Sequence, residues 1–163
     1  MAGAMASPHH RLIAISVAAT FAEHATPEML QDRALAVAEL LEGNDFALTN
    51  GMPGPYKLAI SAQDQRLVLA IASQTDAPLY TIGVSLTPFR RVVKDYFQIC
   101  DSYAMAVKAS NPQAIEAIDM ARRAIHNEGS ELLQTRLSGK ADMDFNTARR
   151  LFTLVCALTT RSN

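Results

Sequence analysis

The sequence predicts an α+β fold: an antiparallel meander of three to four strands against a C-terminal bundle of three antiparallel helices, plus one N-terminal helix. Two patterns and one repeated signature point there. Residues 56–61, 66–71 and 80–86 alternate apolar and polar with period two, the mark of strands with one buried face. From Thr87 onward apolar residues recur at three-and-four spacing, as in amphipathic helices. Thr26-Pro27, Thr87-Pro88 and Asn111-Pro112 each pair a residue able to cap a helix with a proline suited to the first helical position.

Taken in order, residues 1–10 are expected to form a flexible arm or cloning remnant, and residues 11–163 one α+β domain. Arg11–Val17 reads as a strand because Ile13, Ile15 and Val17 are β-branched. The same stretch, followed by Glu23-His24-Ala25, imitates a secretory signal with a small-residue cleavage site. The strand is preferred because no secreted-type cysteine framework follows. A helix from Pro27 carries Met29, Leu30, Leu35, Val37 and Leu40-Leu41 and stops at Gly43. Residues 44–55, with Asn50-Gly51 and Pro53-Gly54-Pro55, read as a turn-rich loop. Short connections at 62–65 and 73–78 suit antiparallel hairpins, with the first strand joining the sheet edge.

The first long helix, 87–110, places Phe89, Val93, Phe97 and Cys100 on one face and Arg90, Arg91, Lys94 and Asp95 on the other. The second, 111–139, is expected to bend at His126-Asn127-Glu128-Gly129-Ser130, where its weakest helix formers cluster. Gly139 ends it, Lys140–Met143 forms a short turn, and Asp142 or Asp144 caps the last helix. That helix is apolar on two sides, Phe145, Ala148, Phe152 and Val155 on one and Leu151, Leu154 and Leu158 on the other. It therefore belongs between two layers.

With 15 basic and 16 acidic residues, the chain lacks the basic excess of a nucleic-acid module. Cys100 and Cys156 sit in helical apolar patterns and read as buried thiols in a reducing cytoplasm. No apolar run approaches the roughly 20 residues of a membrane span.

Four stretches carry a resemblance: RLIAI at 11–15, SLTPFRRVVKDYFQICDSY at 85–103, IEAIDMARRAIHNEGSELLQTRL at 115–137 and DFNTARRLFTLVCAL at 144–158. In these the chain resembles a family of small, uncharacterised alphaproteobacterial proteins. The resemblance implies a bacterial, cytoplasmic, single-domain protein and supplies no catalytic residue, cofactor or substrate.

The His126–Glu131 segment supports two readings. Functionally, His126 titrates near neutrality and Glu128 or Glu131 supplies a carboxylate. Structurally, Gly129 admits a close neighbour and the polar groups serve the bend. The His-x-Glu lacks the Pro-Cys-x-x-Cys of zinc deaminases, and Asp119, His126 and Glu131 do not fall at paired metal-ligand spacing, so no metal is expected. Arginine pairs at 90–91, 122–123 and 149–150 either converge on an anionic or acidic partner or make local ion pairs, Arg123 with Asp119 and Arg91 with Asp95. Phe89, Tyr96, Phe97 and Tyr103 fall in register for core packing. Ser85 and Ser130 lack a nucleophile elbow, and no phosphate-binding glycine pattern occurs.

No catalytic residue or cofactor is therefore assigned. The expected function is that of a non-catalytic regulatory or adaptor protein binding a cytoplasmic protein through its C-terminal helices, in one form a modulator of a polymerising cytoskeletal protein. The candidate surface comprises Arg90, Arg91, Lys94, Asp119, Arg122, Arg123, His126, Asn127, Glu128 and Glu131. The alternative is a small-molecule sensor or enzyme with a polar site around His126. Neither nucleic acid nor a membrane span is expected, and homodimerisation stays open. Convergence of His126 with the arginine pairs would favour a site; dispersion would favour a scaffold helix.

Overall fold

The structure, a computed structural model, describes residues 8–18 and 27–159. The elements are β1 (Leu12–Val17), α1 (Pro27–Glu42), β2 (Phe46–Leu48), β3 (Tyr56–Gln63), β4 (Arg66–Ser73), β5 (Pro78–Ser85), α2 (Arg90–Lys108), α3 (Pro112–Leu137), β6 (Ala141–Met143) and α4 (Phe145–Leu158). Thr26 and Met1–Ser7, read above as a cap and part of an arm, lie outside the described residues.

The fold is α+β, with helices and two sheets. The main sheet has the order β1-β3-β4-β5. Its β3-β4-β5 part is the expected antiparallel meander, in register from Leu58 opposite Ile71 to Ile71 opposite Tyr80. The first strand does join the edge, but it runs parallel to β3, so the sheet is mixed. The reason is α1: a chain that crosses over through a helix returns in the same direction, whereas a hairpin reverses it. One face of the sheet, built by Tyr56, Leu58, Ile60, Leu67, Leu69, Ile71, Ile82 and Val84, is buried in the core.

Asn44 fastens β1 to α1. Its amide oxygen accepts from Leu12 N at 2.8 Å, and its Nδ2 donates to Leu12 O at 2.9 Å and Leu40 O at 2.8 Å. The side chain of Asn44, rather than a left-handed Gly43, satisfies the end of α1, since the positive-φ glycines are Gly51 and Gly139.

The expected loop at 44–55 and turn at 140–143 pair with each other. Phe46 lies opposite Met143 and Leu48 opposite Ala141, as an antiparallel pair of three-residue strands. Thr147 is fully buried, and its Oγ1 accepts from Asp45 N at 2.9 Å. Tyr56 is also buried and satisfied, donating to Met52 O at 2.6 Å and accepting from Leu48 N at 3.2 Å.

In the helical half, Asn111 caps α3 by accepting from Ala114 N, and Asp144 caps α4 by accepting from Thr147 N. Thr87 does not cap α2: residues 87–89 form a 3-10 turn, and no side chain caps either it or α2. α3 is continuous from Pro112 to Leu137, about 39 Å at 1.5 Å per residue, without the expected interruption at 126–130. α4 packs between α3 and α1 and is buried on both sides, through Ala148, Leu151, Phe152, Leu154 and Val155. Phe145, at its first turn, is instead partly exposed.

Candidate functional site

The reason α3 carries a glycine in its second half is steric. A β-carbon on Gly129 would stand 2.1 Å from Cζ of Phe152, so glycine there lets the Phe152 ring enter the helix–helix interface. Ser130, next to it, is fully buried and donates to His126 O at 2.8 Å, which satisfies the hydroxyl within the helix. The packing explanation for Gly129 therefore holds.

One turn earlier, His126 is wedged between aromatic rings. Its imidazole meets Phe152 edge-on at 5.2 Å and Tyr96 at 5.4 Å between centroids. Its Nε2 lies 2.9 Å from Thr153 Oγ1, and Thr153 Oγ1 donates to Arg149 O at 3.3 Å. The hydroxyl and the ring thus share one hydrogen bond, whose direction follows the imidazole tautomer. Nδ1 is buried and has no hydrogen-bond partner among the described residues. Burial, and then the charges of Arg149 and Arg122, push the His126 pKa down to about 4. At neutral pH the ring is uncharged. The expected titration near neutrality is thereby corrected: aromatic walls and two guanidinium groups hold the ring neutral.

His126 lies in an open cleft of about 440 Å³ between α1, α3 and α4. From α3 come Arg122, Arg123 and His126, and from α4 Arg149, Arg150 and Thr153. Asp32, Leu35, Ala36 and Glu39 line it from α1, spaced so that one helix face looks into the cleft, and Tyr96 joins them from α2. Two of the three arginine pairs thus converge. Asp119 sits beside the cleft and holds both α3 arginines, pairing with Arg122 and accepting from Arg123 Nε at 3.1 Å. The Arg122 guanidinium holds the Asp119 carboxyl below the usual carboxylate range. Arg122 also stacks 4.8 Å above the Tyr103 ring, a cation–π contact, while its buried Nε has no hydrogen-bond partner among the described residues. Arg150 faces Glu39 at 3.5 Å. Arg149 makes no ion pair among the described residues.

The remaining expected residues do not join this site. Arg91 bonds Asp95 at 2.9 Å and also pairs with Glu128, forming an exposed link between α2 and α3. Arg90, Lys94, Asn127 and Glu131 are exposed and lie outside the cleft lining. Phe89 and Phe97 are core residues, whereas Tyr96 and Tyr103 face the arginines. Arg149 and Arg150 were weighed as one of the three arginine pairs but left off the candidate surface, and Thr153 and the α1 face were not singled out. An arginine pair on a mostly apolar helix was the available sign for the first two; the α1 contribution is a tertiary fact with no local mark.

Thr153 and His126 form a hydroxyl–imidazole pair, but the hydroxyl is also engaged by a backbone carbonyl and no carboxylate orients Nδ1. An imidazole held near pKa 4 is a weak base at neutral pH. Among the described residues no group of three or more His, Cys, Asp or Glu side chains is placed to hold a metal ion. Likewise, no helix of the described residues is long and apolar enough to cross a membrane.

Fold and cleft define a small α+β protein whose helical layer carries an arginine-lined depression beside a neutral histidine. By sequence the chain belongs to the uncharacterised protein family UPF0262, whose profile matches residues 9–161. It is 50% identical over 149 residues to a UPF0262 protein of Hyphomonas neptunium, covering 91% of this chain and 92% of the relative. A UPF0262 protein of Rhizobium etli is 54% identical over 133 residues, 82% of this chain and 85% of its own. One from Paracoccus denitrificans is 50% identical over 159 residues, covering 94% and 98%. No solved structure matches the chain.

Proposed function

We propose that the protein binds a small anionic molecule in the cleft between α1, α3 and α4, acting as a sensor or carrier rather than as an enzyme. The observation that carries this reading is the placement of Arg149. Its guanidinium makes no ion pair among the described residues, yet it acts on His126 from α4 while Arg122 acts on the same ring from α3. Asp119 compensates Arg122, which leaves Arg149 as the cleft guanidinium without an ion pair among the described residues, and an oxyanion offers the geometry that guanidinium forks match. The volume of about 440 Å³ is within the range of small-molecule sites.

A thermal-shift screen of anionic metabolites at constant ionic strength tests it. A bound anion raises the melting temperature of the wild type, and Arg149→Glu removes the rise while its ligand-free melting point stays close to wild type. A ligand at 100 times its Kd stabilises by about 2.7 kcal/mol, well within reach of the method. Equal shifts in both proteins would rule out the cleft.

A second reading, that of an adaptor binding a cytoplasmic protein through the outer faces of α2 and α3, is favoured by Met105 and Met120. These thioether side chains are 71% and 67% exposed. Affinity capture separates the two readings. An adaptor loses its partner in Met105→Lys/Met120→Lys and keeps it in Arg149→Glu.

A further inference from the structure

The cleft has an apolar half that anion binding alone does not use. α1 turns Leu35 and Ala36 into it, opposite the arginines of α3 and α4, and the Tyr96 ring adds an aromatic surface. Leu35 is 58% exposed, a large apolar side chain left in water within a depression whose other walls are charged. An inorganic oxyanion would engage the guanidinium groups and leave Leu35 as it is.

Resting on the anion-binding reading above, we infer that the ligand is an organic mono-acid: one carboxylate or phosphate group carried on an apolar body of several carbon atoms. The acid group lies between Arg122 and Arg149, and the body runs across the cleft to cover Leu35. The α1 wall also limits the number of acid groups. Asp32 and Glu39 flank Leu35 on the same helix face, so a second anionic group at that end meets carboxylates. Glu39 is already engaged by Arg150, and Asp119 by Arg122 and Arg123, which leaves Arg149, beside the Asp119-paired Arg122, as the anion end.

NMR titration at pH 7.5 and fixed ionic strength, with inorganic phosphate, acetate, butyrate, hexanoate, butyl phosphate and the diacid adipate, tests the class. Affinity is expected to rise about two- to fourfold per methylene from acetate to hexanoate, the upper figure corresponding to full burial of each group. Butyl phosphate should outbind inorganic phosphate, and adipate should bind several-fold more weakly than hexanoate. Leu35→Asn, a change at an exposed position, should flatten the chain-length series while keeping acetate binding; Arg149→Glu should weaken every member. Which acid group is native follows from whether butyl phosphate or hexanoate binds more tightly. Binding of all anions without chain-length dependence overturns the organic-acid class and leaves the anion site standing. A chain-length series unchanged in Leu35→Asn overturns the placement of the body. No binding of any anion by the wild type overturns both this inference and the anion site.

Discussion

Gly129 of α3 and Phe152 of α4 are interlocked: the ring of Phe152 fills the space that a side chain on Gly129 would need, down to 2.1 Å. Both are buried at the centre of the helical layer, so neither can yield toward solvent. Gly129→Ala should therefore destabilise the protein by about 1–3 kcal/mol, the usual cost of overpacking a core, although alanine gains up to about 1 kcal/mol in helix propensity. Denaturant unfolding measures it. The double variant with Phe152→Leu should show coupling, the alanine costing less beside the smaller partner.

His126 makes stability depend on pH in a defined window. Its folded pKa is about 4 against a reference of 6.5, because burial and the neighbouring Arg149 and Arg122 disfavour the imidazolium. Well above pH 6.5 the ring is neutral folded or unfolded and contributes nothing to the pH dependence. Below it the unfolded chain takes up a proton that the folded state refuses until about pH 4. Stability falls across that interval as the pH is lowered, by about 2 kcal/mol between pH 7 and 5. Urea unfolding of wild type and His126→Phe at both pH values isolates the contribution, since the phenylalanine protein should lack this part of the slope.

Much of the architecture was legible because it rests on long periodic segments. The alternation in 56–61, 66–71 and 80–86 and the heptad-like spacing after Thr87 each repeat over several turns or strand pairs, and β3-β4-β5 and the helices follow them. The direction of β1 was not legible, because its six residues read the same whichever way they run; only the crossover through α1 decides it. β2 and β6 have three residues each, too few for any period, and they exist only because each pairs with the other. At the site, the local content of α3 was readable: Arg122, Arg123 and His126 do share a surface. The misreading of residues 126–130 as an interruption has a physical cause. Gly, Ser and Asn weaken an isolated helix, but Phe152 packed onto Gly129 and the Ser130 bond to His126 O support this one.

Asn44 should be among the most sensitive polar residues. Its amide makes three bonds, two to Leu12 and one to Leu40, at the point where the parallel strand meets its crossover helix. Leu12 and Leu40 are fully buried, so truncation strands backbone groups where water reaches poorly. Asn44→Ala is expected to cost about 2–4 kcal/mol. Asn44→Asp should lie close to it, because a carboxylate accepts from Leu12 N but cannot donate to either carbonyl. Hydrogen exchange should show the loss concentrated in β1 and α1. An effect spread evenly over the chain would mean that Asn44 is not the fastening point.

The two thiols should be poorly reactive in the native protein. Burial pushes Cys100 upward, despite the nearby Tyr96 hydroxyl and Arg122, and raises Cys156, which is enclosed in the core, well above its ordinary value. A raised thiol pKa means less thiolate at a given pH, and thiolate is the nucleophile. At pH 8, iodoacetamide should therefore leave Cys156 unlabelled in native protein and modify Cys100 more slowly than a free cysteine, while both react in denaturant. Because Cys100 is only partly buried and lies beside Tyr96 at the cleft, an anion held by Arg122 and Arg149 should protect it further. Mass spectrometry of the labelled peptides reads both effects. Rapid native labelling of Cys156 would show that α4 opens more readily than its complete burial implies.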